Sequence, residues 1–472
     1  MSIDTLRAQY EAFPYPARNP ADEKKRLITG SPSHLDEVNH NVFGGRLDHA
    51  KPLTVLVAGG GTGDGTIMIA QQMADAGNPG RVTYLDLSDA ARDIAEARAR
   101  ARGLTNIDFR RGSLLDLGGL LDEGGPFDYI DCCGVLHHLD EPAAGIRSLA
   151  GALKPGGGIG LMVYAPYGRT GVYPMQAALR TIAADLPPKE QVALARRLIE
   201  RLPPSNWLLR NPFINDHKQA DADLYDLLLH SCDRPFTVPE LAELAAAGGL
   251  AIAALVDPYR YDPAVWLKDP RVLKRLDGLS RLERAAWAEQ VTGSMTKHIA
   301  YLVRPEDAEG AVARPDGPEM VPVLRDLDGG AVAKGLPPGG VLEAELMGAV
   351  IPLPLPRLAG PILARVDGRT SLGAIHQAVA EKAGPLAWDA FLAQFAQLST
   401  ARKGGGKMYL RRGPVPGLRH EKSAAGRPRR RKFMEETTRL QKVLSGSSRR
   451  AGRGPGHRAR RPRPRAGPSP RR

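Results

Sequence analysis

Twelve residues constrain this chain more than any others. In VLVAGGGTGDGT, Val55 to Thr66, an apolar run enters a cluster of five glycines and leaves into IMIAQQMA, a helical pattern. The order is strand, tight turn, helix. A backbone that turns this sharply needs positive φ and must let a ligand approach where a Cβ would clash, both of which glycine supplies. Such a loop binds a nucleotide-like cofactor. The dinucleotide fingerprint GxGxxG requires glycines at offsets of two and then three. Asp64 occupies the last position counted from Gly59, and Thr66 occupies it counted from Gly61. The spacing that fits is GxGxG, read as Gly59, Gly61 and Gly63.

From Pro52 onward, strand and helix patterns alternate, which predicts a parallel sheet covered by helices. RVTYLDLS reads as the second strand, DAARDIAEARARARG as a helix ended by Gly103, and NIDFRRGSLLDL as the third strand with its exit loop. FDYIDCCGV is the fourth strand, EPAAGIRSLAGAL the next helix, and GGIGLMVYA the fifth strand after a turn at KPGG. Residues 166–235 interrupt the alternation with mostly helical material. FTVPELAELAAAGGL resumes it, with Thr237 as the cap, and LAIAALV and HIAYLV read as the sixth and seventh strands.

With the GxGxG loop, GVLHHLDEP (Gly134–Pro142) after the fourth strand and KPGG before the fifth, residues 1–304 resemble the class I S-adenosylmethionine-dependent methyltransferases of small-molecule type. The resemblance implies an α/β, Rossmann-like, seven-stranded sheet whose last strand enters antiparallel, with S-adenosyl-L-methionine as cofactor. It also implies that Gly59, Gly61 and Gly63 pass under the methionine part and that Asp86 accepts hydrogen bonds from the ribose hydroxyls. The competing reading of Asp86 is a cap for DAARDIAEA. Adenine falls to the loop GSLLD through Ser113, the Leu114 backbone or Asp116; relatives often carry an aspartate where Ser113 stands, and Asp116 reads equally as a cap for GGLLDE. His137 and His138 are candidate general bases or substrate-facing side chains, with a structural histidine as the alternative for each. Relatives also commonly have an acid two residues before the first motif glycine. Val57 stands there, and Asp64, inside the loop, either compensates or faces solvent.

The acceptor is read as a small molecule or a protein side chain. The Asn-Pro-Pro-aromatic motif is absent and DCCG occupies its place, which argues against adenine and glutamine amino groups. Residues 1–50 form a helical cap, and with the 166–235 insertion they would build the acceptor pocket. Tyr164, Tyr167, Tyr173, Asp216, His217 and His230 are its polar candidates. Cys132, Cys133 and Cys232 have neither disulfide-framework nor metal spacing, so no metal is expected.

Past Arg304 the composition changes. Residues 305–340 read as a linker, and 341–400 as a small helical domain similar to winged-helix or PqqD-like domains, which dock peptides or proteins. Residues 401–472 read as a disordered basic tail. The net charge of +13 is a property of that tail, because residues 402–472 hold 24 Lys and Arg against three Asp and Glu. Residues 1–401 therefore hold 41 basic and 49 acidic residues, a balance of −8. Nucleic acid is consequently expected only through the tail, whose readings are an RNA or acidic-surface tether, a solubilising segment or an out-of-frame extension. An RNA methyltransferase and a noncatalytic partner-docking module are the alternative functions. No run of 18 apolar residues and no signal-peptide pattern is present, so a cytoplasmic location without membrane contact is expected. Oligomeric state has no sequence signature here.

Overall fold

Seven strands organise the molecule, the inner ones largely apolar on both faces, the pattern of a sheet covered on both sides. They are β1 Thr54–Ala58, β2 Arg81–Asp86, β3 Ile107–Arg111, β4 Phe127–Cys133, β5 Leu153–Tyr164, β6 Ala251–Val256 and β7 Lys297–Val303. In the computed structural model, which describes residues 3–337, 340–403 and 408–413, the sheet order is β3-β2-β1-β4-β5-β7-β6. Neighbours among β1 to β5 run parallel, and β7 enters antiparallel between β5 and β6. The order reverses between β1 and β4, and ligands of open α/β sheets bind in the crevice at such a switch point.

Local chemistry fixes the element ends. The helix Asp89–Arg102 is capped by Ser88, whose Oγ accepts from the Ala91 amide at 3.1 Å, and it stops at Gly103 in the left-handed region. Thr237 and Glu240 form a reciprocal capping box at the helix Val238–Ala247. The serines ahead of the helix Leu35–Asn41 do not cap it. His34 occupies the cap without a side-chain bond, while Ser31 and Ser33 turn to Glu37 and Asp131. The fifth strand also starts earlier than its sequence indicates, with Lys154 to Gly157 inside β5 across an irregularity in its pairing with β4. The insertion packs its own core, in which Val172 and Leu179, Val192 and Ala195, and Leu224 and Leu228 bring three helices together.

Two boundaries read from composition are corrected. Residues 305–340 are not a linker: β8 (Met320–Leu324) is buried at all five positions. It pairs antiparallel with β11 (Met408–Arg412), which lies inside the stretch read as tail. Proline and glycine around EMVPVL, and arginine and lysine around MYL, conceal two short apolar strands. The small domain is also less helical than expected. Val341–Leu346 (β9) and Ala349–Pro354 (β10) form a hairpin through Met347 and Gly348, both at positive φ as a two-residue turn requires. The helices Leu372–Ala383 and Trp388–Lys403 follow it. Residues 414–472, on which the reading of a basic tail rests, lie outside the described residues.

The C-terminal strand is tied to the helix Leu35–Asn41. Glu37, fully buried, accepts from Ser31 Oγ (2.8 Å), Tyr301 Oη (2.8 Å), Arg325 Nη1 (3.0 Å) and the Tyr409 hydroxyl. Asp36 pairs with Arg411 at 3.0 Å, and His40 Nδ1 accepts from the Leu410 amide. A chain ending at 401 is expected to lose at least ~3 kcal/mol relative to one ending at 413, since burying each large apolar side chain of β11 is worth about 1.5–3 kcal/mol. Denaturant midpoints of the two truncations measure the difference; equal midpoints would exclude it.

Candidate active site

The loop after β1 is closed in by the segment Tyr15 to Arg18. Thr62 Oγ1 donates to the Pro16 carbonyl at 2.7 Å, and a Cβ on Gly61, whose φ is +50°, would lie 2.8 Å from the Tyr15 carbonyl. A Cβ on Gly59, at φ +76°, would collide with Val135 on the loop after β4. The glycines are therefore required by the approach of two chain segments, with the crevice between them. Asp86, at the end of β2, accepts from the Gly61 amide at 2.7 Å and the Ser88 amide at 2.9 Å. Burial pushes its carboxyl above the usual range against the pull of those amides. Each oxygen keeps a lone pair for a further donor. Ser88, not Asp86, caps the helix that follows.

Asp64 does not compensate for Val57. Its carboxylate is taken by Arg18 (2.6 Å) and Arg98 (2.7 Å). Burial raises it, but these two guanidinium groups hold it below the ordinary carboxylate range. Arg98, itself 1% exposed, also pairs with buried Glu23, so Asp64 serves to fasten the N-terminal segment over the loop. The sequence reading missed Asp131, Val57's neighbour in the β1–β4 register. An acid in the middle of the apolar run FDYIDCC is its signal. Ser33 Oγ donates to its Oδ2 at 2.6 Å, its Oδ1 has no partner among the described residues, and burial pushes it up to about 7. Since a carboxyl in the unfolded chain titrates near 4, this contribution to stability is full below about pH 4 and is lost as pH rises through 7. Asp131→Asn is expected to flatten that decline. Urea midpoints of both proteins between pH 4.5 and 7.5 should diverge; parallel curves would exclude the effect.

In the loop after β3, Ser113 turns inward on its own chain: its Oγ accepts from the Leu115 amide at 3.2 Å. Leu114 is buried, with its carbonyl accepting from Ser148. Asp116 is exposed and does not cap Gly118–Glu123, whose cap position is Leu117.

The two histidines separate. His137 is fully buried with neither ring nitrogen partnered among the described residues, and burial pushes it well below the usual imidazole range. It packs 4.1 Å from the Tyr164 ring and is unsuited to proton exchange. His138 Nδ1 lies 2.7 Å from the Cys232 carbonyl oxygen, which can only accept. The proton therefore sits on Nδ1, and Nε2 carries the lone pair of a base. Around it stand His230, stacked on His138 at 3.7 Å, and Asp226, which accepts from Tyr164 Oη at 3.0 Å. His230 Nδ1 accepts from the Cys232 amide, so its Nε2 donates to the Tyr10 hydroxyl at 3.1 Å and leaves the Tyr10 proton free. Arg169 lies 3.7 Å above the Tyr164 ring, pairs with Asp233 at 3.0 Å and donates to Tyr173. Tyr10, Arg169, Asp226 and Asp233 were missed because each is ordinary in its local sequence. Of the other pocket candidates, Tyr167 is exposed, while Asp216 and His217 lie in the turn Asp216–Lys218.

His138, Asp226 and His230 bring three potential metal-ligating atoms within 4.8 Å of one another. The two rings lie only 20° from parallel, so their in-plane lone pairs run side by side, and both nitrogens of His230 are engaged. The trio fits a proton-handling cluster better than a metal.

Residues 56–159 match the methyltransferase-domain family. The chain also has the fold of the solved structure of PKMT2 from Rickettsia typhi, with TM-score 0.57, 15% identity, and 82% of this chain and 77% of that one covered. Its complex with AdoHcy aligns at TM-score 0.54 and 14% identity, covering 80% and 75%. The chain has the class I methyltransferase fold, with the family match inside it. Among curated proteins, an uncharacterised protein of Synechococcus is 29% identical over 259 residues, 53% of this chain and 60% of its own length. A ubiquinone biosynthesis O-methyltransferase of Marinobacter nauticus is 28% identical over 150 residues, 32% of this chain and 58% of its own. The chain thus spans about 60% of the length of these curated relatives. The methyltransferase domain's crevice suits the family's cofactor: the loop has room only for glycine at 59 and 61, and Asp86 beside it has acceptor capacity left.

Proposed function

We propose that this chain binds S-adenosyl-L-methionine at Gly59, Gly61, Gly63 and Asp86 and methylates a hydroxyl group of a small molecule held among Tyr10, Tyr164, His138 and His230. The bound cofactor supplies a methyl group already activated by its sulfonium. The protein's task is alignment, exclusion of water and removal of the acceptor's proton; alignment alone is worth on the order of 7–11 kcal/mol. The observation that carries the reading is the His138 tautomer, fixed by the Cys232 carbonyl with Nε2 as the free base. Tyr10 links the two halves of the crevice, since both Asp86 and Asp226 act electrostatically on its hydroxyl. His138 is buried and Tyr10 and Tyr164 are half-buried, which favours a small acceptor over a segment of a folded protein. Relatives named as O-methyltransferases agree with an oxygen acceptor.

His138→Gln is expected to bind S-adenosylhomocysteine within about twofold of the parent, yet to lose methyl transfer to a phenolic or catecholic acceptor by roughly 10²–10⁴ fold, the usual contribution of a general base. Calorimetry and transfer of labelled methyl groups measure the two quantities. Undiminished transfer by the variant would remove His138 from the mechanism; labelling of a protein side chain in place of the small acceptor would overturn the acceptor class.

A further inference from the structure

The molecule has a second, open-sided space, away from the glycine loop. A cavity of about 660 Å³ lies along β6, the edge strand of the sheet. β6 is the fourth strand over from β1, so with neighbouring strands ~4.8 Å apart the cavity lies ~19 Å from the cofactor crevice across the sheet. Four consecutive residues of β6 and its end, 253 to 256, line it, as only a strand with a free edge allows. The helix Leu35–Asn41 bounds it on one side, the helix Arg281–Thr292 on the other, and Met408 and Tyr409 of β11 complete the wall.

Its sequence origin is visible in β6 itself, AIAALV. Ala253 and Ala254 are adjacent small residues in a strand, where alanine is disfavoured and larger side chains ordinarily fill the space. The volume falls within the range of small-molecule pockets, ~300–1,000 Å³, which are mainly apolar with a few polar groups that fix orientation. Here the apolar wall includes Ala254, Leu255, Tyr261 and Met408, and the polar lining comprises Arg281 and Arg284 together with Glu37, His40, Asn41 and Asp262.

Those two guanidinium groups are one helical turn apart, and among the described residues neither pairs with a carboxylate. Arg281 donates to the Ile252 carbonyl at 2.5 Å and Arg284 to the Leu276 carbonyl at 3.2 Å. Arg281 is exposed and Arg284 half-buried, so both charged heads remain reachable from solvent. Of the acids on the wall, Glu37 is already satisfied by Arg325 and three hydroxyls, and Asp262 caps the Ala264 amide. Two such arginines beside an apolar space are complementary to an anion carrying a hydrocarbon body, and a planar guanidinium matches a carboxylate in shape as well as charge.

We infer that this cavity is a binding site for a carboxylate-headed amphiphile of the medium-chain fatty-acid class, its head on Arg281 and Arg284 and its chain along β6. The site is separate from the methyl-transfer crevice, and its test does not depend on that reading. The full chain is titrated by calorimetry with decanoate and, as the uncharged control, decan-1-ol. Decanoate is expected to bind saturably and at least about tenfold tighter than the alcohol, the size of a charge-assisted contact. The Arg281→Gln, Arg284→Gln double variant should bring decanoate to the level of the alcohol and leave the alcohol's affinity unchanged. Ala254→Leu should weaken both ligands by occupying the space. Absence of saturable decanoate binding to the unaltered chain would overturn the inference. So would equal affinity for the alcohol, or full decanoate affinity in the folded double variant.

Discussion

Asp86→Ala is expected to weaken binding of S-adenosylhomocysteine by at least about a hundredfold, some 2.7 kcal/mol. Two effects combine. The cofactor loses its acceptor, and the Gly61 and Ser88 amides lose theirs, each worth roughly 1–3 kcal/mol where water cannot replace it. The second effect loosens the loop itself, so Asp86→Asn, which retains one acceptor oxygen, should fall between the two. Calorimetric titration measures the affinities, with circular dichroism to verify that both variants fold. An alanine variant within about threefold of the parent would refute the assignment of Asp86 to the cofactor.

Glu37→Ala carries the largest expected effect on stability. One carboxylate serves Arg325 and the hydroxyls of Ser31, Tyr301 and Tyr409. Removing it leaves a largely buried guanidinium without its partner, and breaking such a pair costs about 3–5 kcal/mol. Tyr409→Phe deletes one donor and should cost about 1–2 kcal/mol. Because Tyr409 lies on β11, the alanine variant should also lose amide-exchange protection in β8 and β11 ahead of β1 and β4. A change in unfolding free energy below about 1 kcal/mol, or uniform loss of protection, would show that Glu37 does not hold this strand.

The central sheet was legible because the relevant signals are local. Apolar runs, the GxGxG loop, the Thr237 capping box and Gly103 each act within a few residues, and the structure places the seven strands they predict. The candidate site was legible only where it follows the strand ends. Gly59, Gly61 and Asp86 converge because the sheet order brings the ends of β1 and β2 together. Asp64 could not be placed from sequence because its partners, Arg18 and Arg98, lie 46 and 34 residues away. The distinction between His137 and His138 likewise depends on a carbonyl 94 residues distant. The linker and tail boundaries failed for the opposite reason: β8 and β11 are five residues each, too short to dominate the composition around them, and they become strands by pairing with one another.

The bond between Glu37 and Tyr409 spans 372 residues. At ~5–20 residues per second, a ribosome takes roughly 20–75 s to travel from the codon for one to the codon for the other. Throughout that interval every strand of the seven-stranded sheet can emerge while Glu37 still lacks the last of its four donors, the Tyr409 hydroxyl. Formation of the sheet and completion of this hydrogen-bond set are therefore separate events, and a chain interrupted between Arg325 and β11 leaves Glu37 with its cation and two hydroxyls but one donor short.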